Sequence, residues 1–410
     1  MLDIKFVREN SKLVEDAIKN KKSKADLTKI LVLDEKKRDL SNRVELLRKE
    51  KNELAKSRDN IDKAKTVKKM LQDLEPQLTE VSEELLELMY HLPNVPATDV
   101  KVGRDESENE IIKTVGEPRK FDFKIKDHME LGKSLDLIDT ERASKVSGSR
   151  FSYLKNQAVI IEFSLIRMIM DMLQKEGFTP IIPPVLEKME TAKGTGYFEA
   201  LSDDAYHTTE DEMVLVGTSE QSILPYYMDE IIEGDLPKRF VSFSTCFRRE
   251  AGSYGKDVAG IMRQHQFDKV EMVVFCDPNK SDQEHEFILS IEEKIMQALE
   301  LPYQVVKMCT GDLGAPATRK YDIEAWVPSQ GKYRELTSCS TCTDFQSRRL
   351  NIRHKAKEGK TELVYTLNGT GSAIGRTLVA LFENHQQADG SILIPKALQK
   401  YCGFEQINNK

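Results

Sequence analysis

The sequence predicts an α+β protein in two parts, an antiparallel helical hairpin followed by a domain built on a mainly antiparallel sheet. Leucine and other aliphatic residues recur every seven positions in the first part, and two prolines end that pattern. Residues 121–410 then alternate helical patterns with short β-rich runs such as 239–247 and 270–276. Close pairs of strands separated by long loops are typical of an α+β domain with antiparallel pairing.

The composition is that of a globular protein. Of 410 residues, 31% are charged and 39% are hydrophobic, which argues against disorder. The most apolar long stretch, residues 158–173, contains Glu162, Arg167 and Asp171, so we expect an amphipathic helix and no membrane span. The N-terminus lacks the apolar core of a signal peptide, and six cysteines form no disulfide framework. A cytoplasmic protein is therefore expected.

Two heptad series predict the helices of the hairpin. The segment 61–66 separates them and is short enough to reverse the chain. Pro76 lies inside the second series and is expected to kink or interrupt its helix. The first series is Leu33, Leu40, Leu47, Leu54 and Ile61, and the second is Val67, Leu74, Val81 and Leu88, interleaved with Leu71, Leu78 and Leu85.

Positive charge is concentrated in the hairpin, although the whole chain has a formal charge of −7. From Lys36 to Lys69 there are thirteen Lys or Arg and six Asp or Glu, an excess of 13 − 6 = 7, whereas Met70 to Tyr90 holds six acids and no base. This pattern suits two solvated helices that attract each other. It also suits a surface for a phosphate backbone. Charge alone favours the first interpretation.

Prolines and polar residues suggest the domain boundaries. Pro93 and Pro96 end the hairpin, and a polar stretch reaches about Pro118. We therefore expect a helical domain over 1–100, a linker over 101–120 and a larger domain over 121–410.

The stretch from Cys246 to Glu271 connects two apolar runs of the predicted core and contains many charged residues. If residues 240–250 form a strand, Arg248 and Glu250 share one face. A lone pair of this kind is more often a surface ion pair. The intervening loop, however, carries three glycines and Arg263 before it returns. The glycines are Gly252, Gly255 and Gly260.

Three carboxylates lie at or within apolar runs. Glu271 would share its strand face with Val273 and Phe275, where an ionised carboxylate is costly unless paired. Glu220 follows the apolar run 213–217, and Glu335 precedes "LTSCSTCTD". With the arginines, these acids suggest a site for a small amine-bearing substrate and phosphates.

Two further motifs carry weaker signals. Gly369, Gly371 and Gly375 lead into a predicted helix that bears Arg376, but such a glycine pattern alone is weak evidence for a phosphate site. Cys339 and Cys342 form one C-x-x-C pair without a second Cys or His pair at a zinc-binding spacing. We therefore interpret them as structural thiols and expect no zinc.

Several motifs together resemble the seryl-tRNA synthetases, a family of class II aminoacyl-tRNA synthetases, over nearly the whole chain. "EGFTPIIPPVL" is similar to the class II dimer-interface motif, with Pro180 as its signature proline. "FRREAGSYGKDVAGIMRQHQFDKVE" and "GTGSAIGRTLVALFEN" resemble the second and third class II motifs, and "RELTSCSTCTDFQSRRLNIR" resembles a stretch specific to seryl enzymes. The resemblance implies a class II catalytic domain and a homodimer formed through the Pro180 region.

The resemblance implies an ATP site at the returning loop. Arg248 would grip the α-phosphate and Arg263 the outer phosphates. Glu250 would hold the adenine amino group, and Phe267 and Arg376 would sandwich the adenine ring. The full implied ATP-binding set, whose last two members would also bind Mg²⁺, is Arg248, Glu250, Arg263, Phe267, Arg376, Glu335 and Ser338.

The resemblance also implies a serine site. Thr218 and Glu220 would receive the α-amino group, and Glu271 and Thr370 would surround the hydroxyl. Ser219 stands between the first two, where this family usually has alanine. It should point away from the substrate if the run is extended.

The implied reaction is the ATP-dependent ligation of serine to serine tRNA, with selenocysteine tRNA left open as a second acceptor. It needs no nucleophilic side chain, because the serine carboxylate attacks the α-phosphate. Arg248, Arg263 and Arg376 are the implied catalytic residues, and catalysis would consist of positioning and of neutralisation of the pentavalent phosphate by arginine and Mg²⁺. The hairpin would then bind the tRNA.

The sequence leaves two alternative functions open. One is an amino acid ligase that acts on a carrier protein, but such relatives lack the long hairpin. The other is a non-catalytic tRNA-binding paralogue, which would be expected to lose the ATP or serine residues.

Overall fold

The computed structural model describes residues 1–56, 61–197, 202–251, 260–355 and 359–408. It divides into two compact units, residues 1–95 and 96–410, and confirms the predicted α+β fold class. In the described ranges, no helix has both the length and the apolar character needed to cross a membrane.

The first unit is helical. Two short helices precede two long helices, which form the predicted hairpin and are called the arm below. The side chain of Asp26 caps the first long helix by accepting a hydrogen bond from Lys29 N at 2.9 Å. The helices are α1 (Ile4–Glu9), α2 (Ser11–Asn20), α3 (Leu27–Leu54) and α4 (Ile61–Tyr90).

The heptad series form the buried seam of the arm. Leu33 and Leu40 of α3 are buried, and so are residues of both interleaved sets of α4. Ile61, in contrast, is 66% exposed. The buried α4 residues from the two series are Val67, Leu71, Leu74, Val81 and Leu85.

The predicted reversal at 61–66 is wrong, because these residues form the start of α4. The segment holds no glycine or proline, and Asp62 in the first helical turn suits the positive end of the helix dipole. The chain reverses between α3 and α4, where residues 57–60 lie outside the described part. Pro76 does not interrupt α4. It lies on the exposed face, where water can satisfy the carbonyl that loses its partner.

Ion pairs link the two arm helices. Lys29 lies 2.7 Å from Glu84, Arg48 lies 2.8 Å from Glu75, and both pairs are exposed. The expected attraction between the helices is therefore present, although exposed pairs of this kind stabilise a protein by only about 0–1 kcal/mol each.

The second unit is built on an eight-stranded sheet with the order β1-β11-β12-β13-β16-β10-β9-β4 in the described residues. All neighbours are antiparallel except β4 and β9. In that order the strands are Glu110–Val115, Tyr303–Lys307, Arg319–Val327, Lys332–Thr343, Tyr365–Ala373, Gln266–Cys276, Lys238–Phe247 and Thr179–Ile181.

Part of the predicted 101–120 linker is wrong, because Glu110–Val115 forms the edge strand β1 and pairs with β11. Its side chains are almost all exposed. A strand without a buried face has no apolar alternation by which the sequence could reveal it.

Smaller strands surround the main sheet. They form the groups β15-β14-β8, β17-β18, β2-β3 and β5-β7-β6. Their bounds are β2 Ile138–Asp139, β3 Tyr153–Leu154, β5 Leu186–Lys188, β6 Tyr206–His207, β7 Met213–Leu215, β8 Ile231–Ile232, β14 Arg353–Lys355, β15 Thr361–Leu363, β17 Ile392–Leu393 and β18 Gln406–Ile407.

Helices cover one face of the sheet and enclose the main hydrophobic core. In this core, buried residues of the three longest helices of the unit pack against the even-numbered residues of β10. The helices of the second unit are α5 His128–Ser134, α6 Thr140–Ser147, α7 Gln157–Lys175, α8 Met189–Thr195, α9 Glu220–Ile223, α10 Ser281–Ala298, α11 Phe345–Arg349, α12 Ile374–His385 and α13 Lys396–Cys402.

The other face carries polar residues beside a second apolar cluster. On β10, Val273 and Phe275 belong to that cluster, as expected for the face of Glu271. Phe267, Lys269 and Glu271 continue the same alternation and line a cavity. The sheet thus separates a helix-covered core from a polar site.

Close packing explains the glycines of β16. A Cβ at Gly369 would lie 2.3 Å from Ile288 Cγ2 of α10. This glycine therefore lets the helix approach the strand, and it is not evidence for a phosphate cradle.

We expect Gly369→Ala to lower the free energy of unfolding of the second unit by about 2 kcal/mol, because the added methyl overpacks this contact. Urea denaturation followed by Trp326 fluorescence measures this, since Trp326 is the only tryptophan and lies in β12. Gly314→Ala is the control, because a methyl there meets nothing within 4 Å. Equal stability of both variants would contradict this account of the packing.

Candidate active site

A cavity of about 430 Å³ opens on the polar face of the sheet. Residues from β9, β10, β12, β13 and β16 line it together with α9 and the start of α12. All eleven predicted site residues are among the lining residues: Thr218, Glu220, Arg248, Glu250, Arg263, Phe267, Glu271, Glu335, Ser338, Thr370 and Arg376. Of the predicted loop glycines, Gly252 and Gly255 lie outside the described residues.

Arg248 and Glu250 line the cavity, but the backbone that positions them is not the predicted strand. Strand β9 ends at Phe247, so the two residues do not share a strand face. Glu250 instead has a left-handed backbone, with φ of +54°. The turn places its Oε2 2.8 Å from Nη1 of Arg263. An ion pair therefore joins the two ends of the loop.

The Arg248 side chain lies between two walls of the cavity. Its Nε donates to the carbonyl of Gly217 at 3.1 Å, and its guanidinium carbon lies 5.3 Å from the centre of the Phe267 ring. These contacts fix one arginine beside an aromatic face, a favourable arrangement for a cation.

A register irregularity places Glu335 and Ser338 in the same cavity. Strict alternation along β13 would put residues three apart on opposite faces. Thr337 pairs with Ile323, but the next pair is Glu335 with Glu324, so β13 has an extra residue at this point. Such a bulge re-aims the side chains that follow it.

The Glu335 carboxylate is strongly held in its charged form. Arg376 Nη1 lies 3.0 Å from its Oε2 and donates to its backbone carbonyl at 3.1 Å. Desolvation opposes ionisation, but the positive charges of Arg376 and Lys320 outweigh it and lower the pKa of Glu335 to about 2. This carboxylate is therefore ionised at neutral pH.

A second irregularity brings Glu271 opposite Thr370. Val270 pairs with Ser372 and Glu271 with Thr370, so β16 carries the extra residue Gly371. Thr370 Oγ1 donates to Glu271 Oε2 at 3.2 Å, and Lys269 Nζ lies 2.6 Å from the same oxygen. The carboxylate within the apolar strand is thus paired, as its burial requires.

Glu220 lies in the same cavity at the start of α9 and is 3% exposed. Burial and the negative charge of Glu271 raise the pKa of Glu220 to about 7, against the hydrogen bonds from Gln346 and Asn368. Two acidic groups therefore stand close together where a substrate cation could neutralise them.

Ser219 points away from the cavity, but the run is not extended. Its backbone is helical, with φ of −63° and ψ of −17°. Its hydroxyl lies 2.6 Å from that of Ser242, which donates to the carbonyl of Glu271 at 3.3 Å. The unusual serine therefore links the Thr218–Glu220 turn to the central strands.

Several lining or supporting residues were missed by the sequence analysis. Lys269 could have been found, because it lies two residues before Glu271 and would share its face if the predicted strand at 270–276 began a few residues earlier, as it does. Lys320, Asn368 and Gln346 gave no such signal, since partners distant in the chain define their roles. Gln346 and Asn368 both donate to Glu220 Oε1, at 2.9 and 3.0 Å.

No histidine or cysteine is among the described residues that line the cavity. Cys339 and Cys342 are buried thiols that form no disulfide with any described residue, and burial raises the pKa of Cys339 well above its usual value. Across the described ranges, no group of three or more His, Cys, Asp or Glu could hold a metal ion.

Comparison with known proteins identifies two family domains. The seryl-tRNA synthetase N-terminal domain matches residues 1–96, and the tRNA synthetase class II core domain (G, H, P, S and T) matches residues 202–385.

Relatives that align over the whole chain indicate the same family. The serine–tRNA ligase of Dictyoglomus turgidum is 45% identical over 425 residues, which cover 100% of both chains. The crystal structure of seryl-tRNA synthetase from Pyrococcus horikoshii complexed with ATP aligns over 100% of both chains, with a TM-score of 0.93 and 39% identity. The cytoplasmic serine–tRNA ligase from Naegleria fowleri in complex with AMP has a TM-score of 0.89 and 30% identity, over 100% of this chain and 99% of that one. The chain therefore belongs to the seryl-tRNA synthetase family, the serine–tRNA ligases of class II.

Proposed function

We propose that this chain activates serine with ATP and transfers the seryl group to the 3′ end of serine tRNA. The observation that carries the proposal is a single cavity that holds three arginines, an aromatic ring and two adjacent acidic groups. The relatives whose structures contain ATP and AMP support a nucleotide in this cavity.

ATP binding would exchange partners within existing ion pairs. Arg263 is paired with Glu250, and Arg376 with Glu335. The outer phosphates would take over Arg263, which frees Glu250 to accept from the adenine amino group. Arg376 and Phe267 would enclose the adenine ring, and Arg248 would hold the α-phosphate.

Magnesium fits the wall formed by Glu335 and Ser338. An ionised carboxylate and a hydroxyl are oxygen ligands of the kind that Mg²⁺ prefers, and Mg²⁺ commonly bridges a protein and phosphate groups. When bound, the ion would neutralise part of the phosphate charge.

Serine would lie between the two acidic groups. Thr218 and Glu220 would receive its ammonium group, while Glu271 and Thr370 would bind its hydroxyl. The ammonium group would also offset the burial and the negative charge of Glu271, which together raise the pKa of Glu220.

The chemistry follows from this placement. A carboxylate oxygen of serine forms a bond to the α-phosphorus, the bond to the bridging oxygen breaks, and pyrophosphate leaves. Arg248, Arg263 and Arg376 stabilise the charge that develops on phosphate oxygens. A hydroxyl of the terminal tRNA ribose then attacks the seryl carbonyl carbon, and AMP leaves.

The arm α3–α4 would bind the tRNA. Even complete pairing within Lys36–Lys69 would leave an excess of positive charge, because thirteen bases face six acids. A thin two-helix arm has little core, so a binding role explains its length better than stability does.

A homodimer through the Pro180 region is supported by exposed apolar residues on neighbouring elements. Ile182 after β4 is 79% exposed, and Phe163 of α7 is 63% exposed. Elements α7 and β4 are in contact, and large apolar side chains exposed on adjacent elements commonly mark protein interfaces. The enzyme would work in the cytoplasm, where tRNA is charged.

The proposed activity is tested by serine-dependent exchange of labelled pyrophosphate into ATP, followed by charging of serine tRNA. We expect exchange with serine and none with alanine, because alanine leaves the partners of the hydroxyl unsatisfied. Absence of serine-dependent exchange under conditions in which the protein is folded would refute the proposal.

We expect Glu271→Gln to lower kcat/KM for serine by about a hundredfold, because it removes a charged acceptor from the hydroxyl site. The KM for ATP should change little. Glu324→Gln is the matched control, since Glu324 is a partly buried carboxylate of the same sheet that does not line the cavity. Unchanged kcat/KM for serine in the Glu271 variant would remove this residue from the site.

Excision of Asp39–Glu80, closed by a short turn, should leave pyrophosphate exchange intact and reduce tRNA charging by roughly a thousandfold. The two ends of the excision are level across the arm, because Lys29 pairs with Glu84 and Arg48 with Glu75. For the intact protein, tRNA affinity should fall steeply with salt. Charging at a near wild-type kcat/KM after the excision would show that the arm is not the tRNA-binding element.

A further inference from the structure

Gln346 lies directly behind the predicted amino-group site. It belongs to the short helix α11, is fully buried and does not line the cavity. Its Nε2 donates to Glu220 Oε1 at 2.9 Å and to the backbone carbonyl of Thr195 at 3.0 Å. The proposed reaction assigns it no role.

The partners of Gln346 fix the orientation of its amide group. The carbonyl of Thr195 and an ionised Glu220 can only accept hydrogen bonds, so the NH₂ group must face them. On the other side, Thr366 Oγ1 donates to Gln346 Oε1 at 2.6 Å. Both ends of the amide are therefore committed, and Gln346 presents a fixed donor to Glu220.

Glu220 needs such a donor because its surroundings oppose its charge. It is buried, Glu271 brings a second negative charge, and the ammonium group of Lys269 is bound to Glu271 at 2.6 Å. The Tyr197 hydroxyl also lies nearby, 3.4 Å from Asn368 Nδ2. Of the described residues, Gln346 and Asn368 supply the hydrogen bonds to the Glu220 carboxylate, both to Oε1.

We infer that Gln346 is a positioning residue that keeps the Glu220 carboxylate ionised and oriented toward the ammonium group of serine. The inference rests on the proposed function. It adds that serine affinity depends on a buried amide that never touches the substrate.

The inference is tested by the pH dependence of kcat/KM for serine in pyrophosphate exchange, which reports groups of the free enzyme. Gln346→Met keeps the length of the side chain and removes its donor. Because a hydrogen bond to the ionised form lowers a carboxyl pKa, its loss should move the acidic limb up by about one pH unit. At pH 7 kcat/KM should fall about fivefold, because a carboxyl pKa of about 7 would rise to about 8, and at about pH 8.5 it should recover to within about threefold.

Thr366→Val is the matched control, because it removes another hydrogen bond of the same buried network and leaves the donor to Glu220 in place. It should leave the pH profile unchanged even if it destabilises the fold equally. If Gln346→Met does not fold, Gln346→Glu replaces it, since that variant keeps the shape and the bond from Thr366 and should also move the limb upward.

Each outcome decides the inference. A limb that moves with substitutions of Gln346 and not with Thr366→Val supports it. An unmoved limb, or a loss that is the same at every pH, overturns it and leaves Gln346 with a structural role. Failure of the proposed function is distinguishable, because the wild-type protein would then show no serine-dependent exchange.

Discussion

Charge compensation is the constraint on which the site depends, since a carboxylate on a shielded sheet face is stable only beside a cation or N–H donors. In the cavity, three ion pairs provide this compensation: Glu250 with Arg263, Glu335 with Arg376, and Glu271 with Lys269. Under the proposed function, the outer phosphates would take over Arg263 from Glu250, and Mg²⁺ and the adenine ring would take over Glu335 and Arg376. Reorganisation on binding is then an exchange of partners rather than the creation of new charge.

The geometry of these pairs depends on irregular strand pairing. Regular alternation would place Glu335 and Ser338 on opposite faces, and the extra residue in β13 brings both to the cavity. The extra residue Gly371 in β16 likewise sets Thr370 opposite Glu271. Bulges are frequent next to active sites because they redirect single side chains without disturbing the rest of the sheet.

The arm is stabilised by a simpler set of contacts than the second unit. Its seam needs only aliphatic residues at heptad spacing, which local sequence specifies completely. For that reason the two helices were predictable. Pro76 is tolerated because it lies on the exposed face, where water can reach the carbonyl that its missing N–H leaves unpaired. The position of the reversal was not predictable from the heptads, because Ile61 continues their spacing although it is exposed.

The sequence by itself determined the α+β class, the arm, strands β9 and β10, and eleven of the residues that line one cavity. These features rest on local periodicity and on motifs that are contiguous in the chain. Only the tertiary structure decided that Glu110–Val115 is an edge strand, how Arg248 and Glu250 turn inward, and that Gln346 supports Glu220. The physical reason is that strand register and buried hydrogen bonds join residues far apart in the chain, as Gln346 and Glu220 are, and no local pattern records such partners.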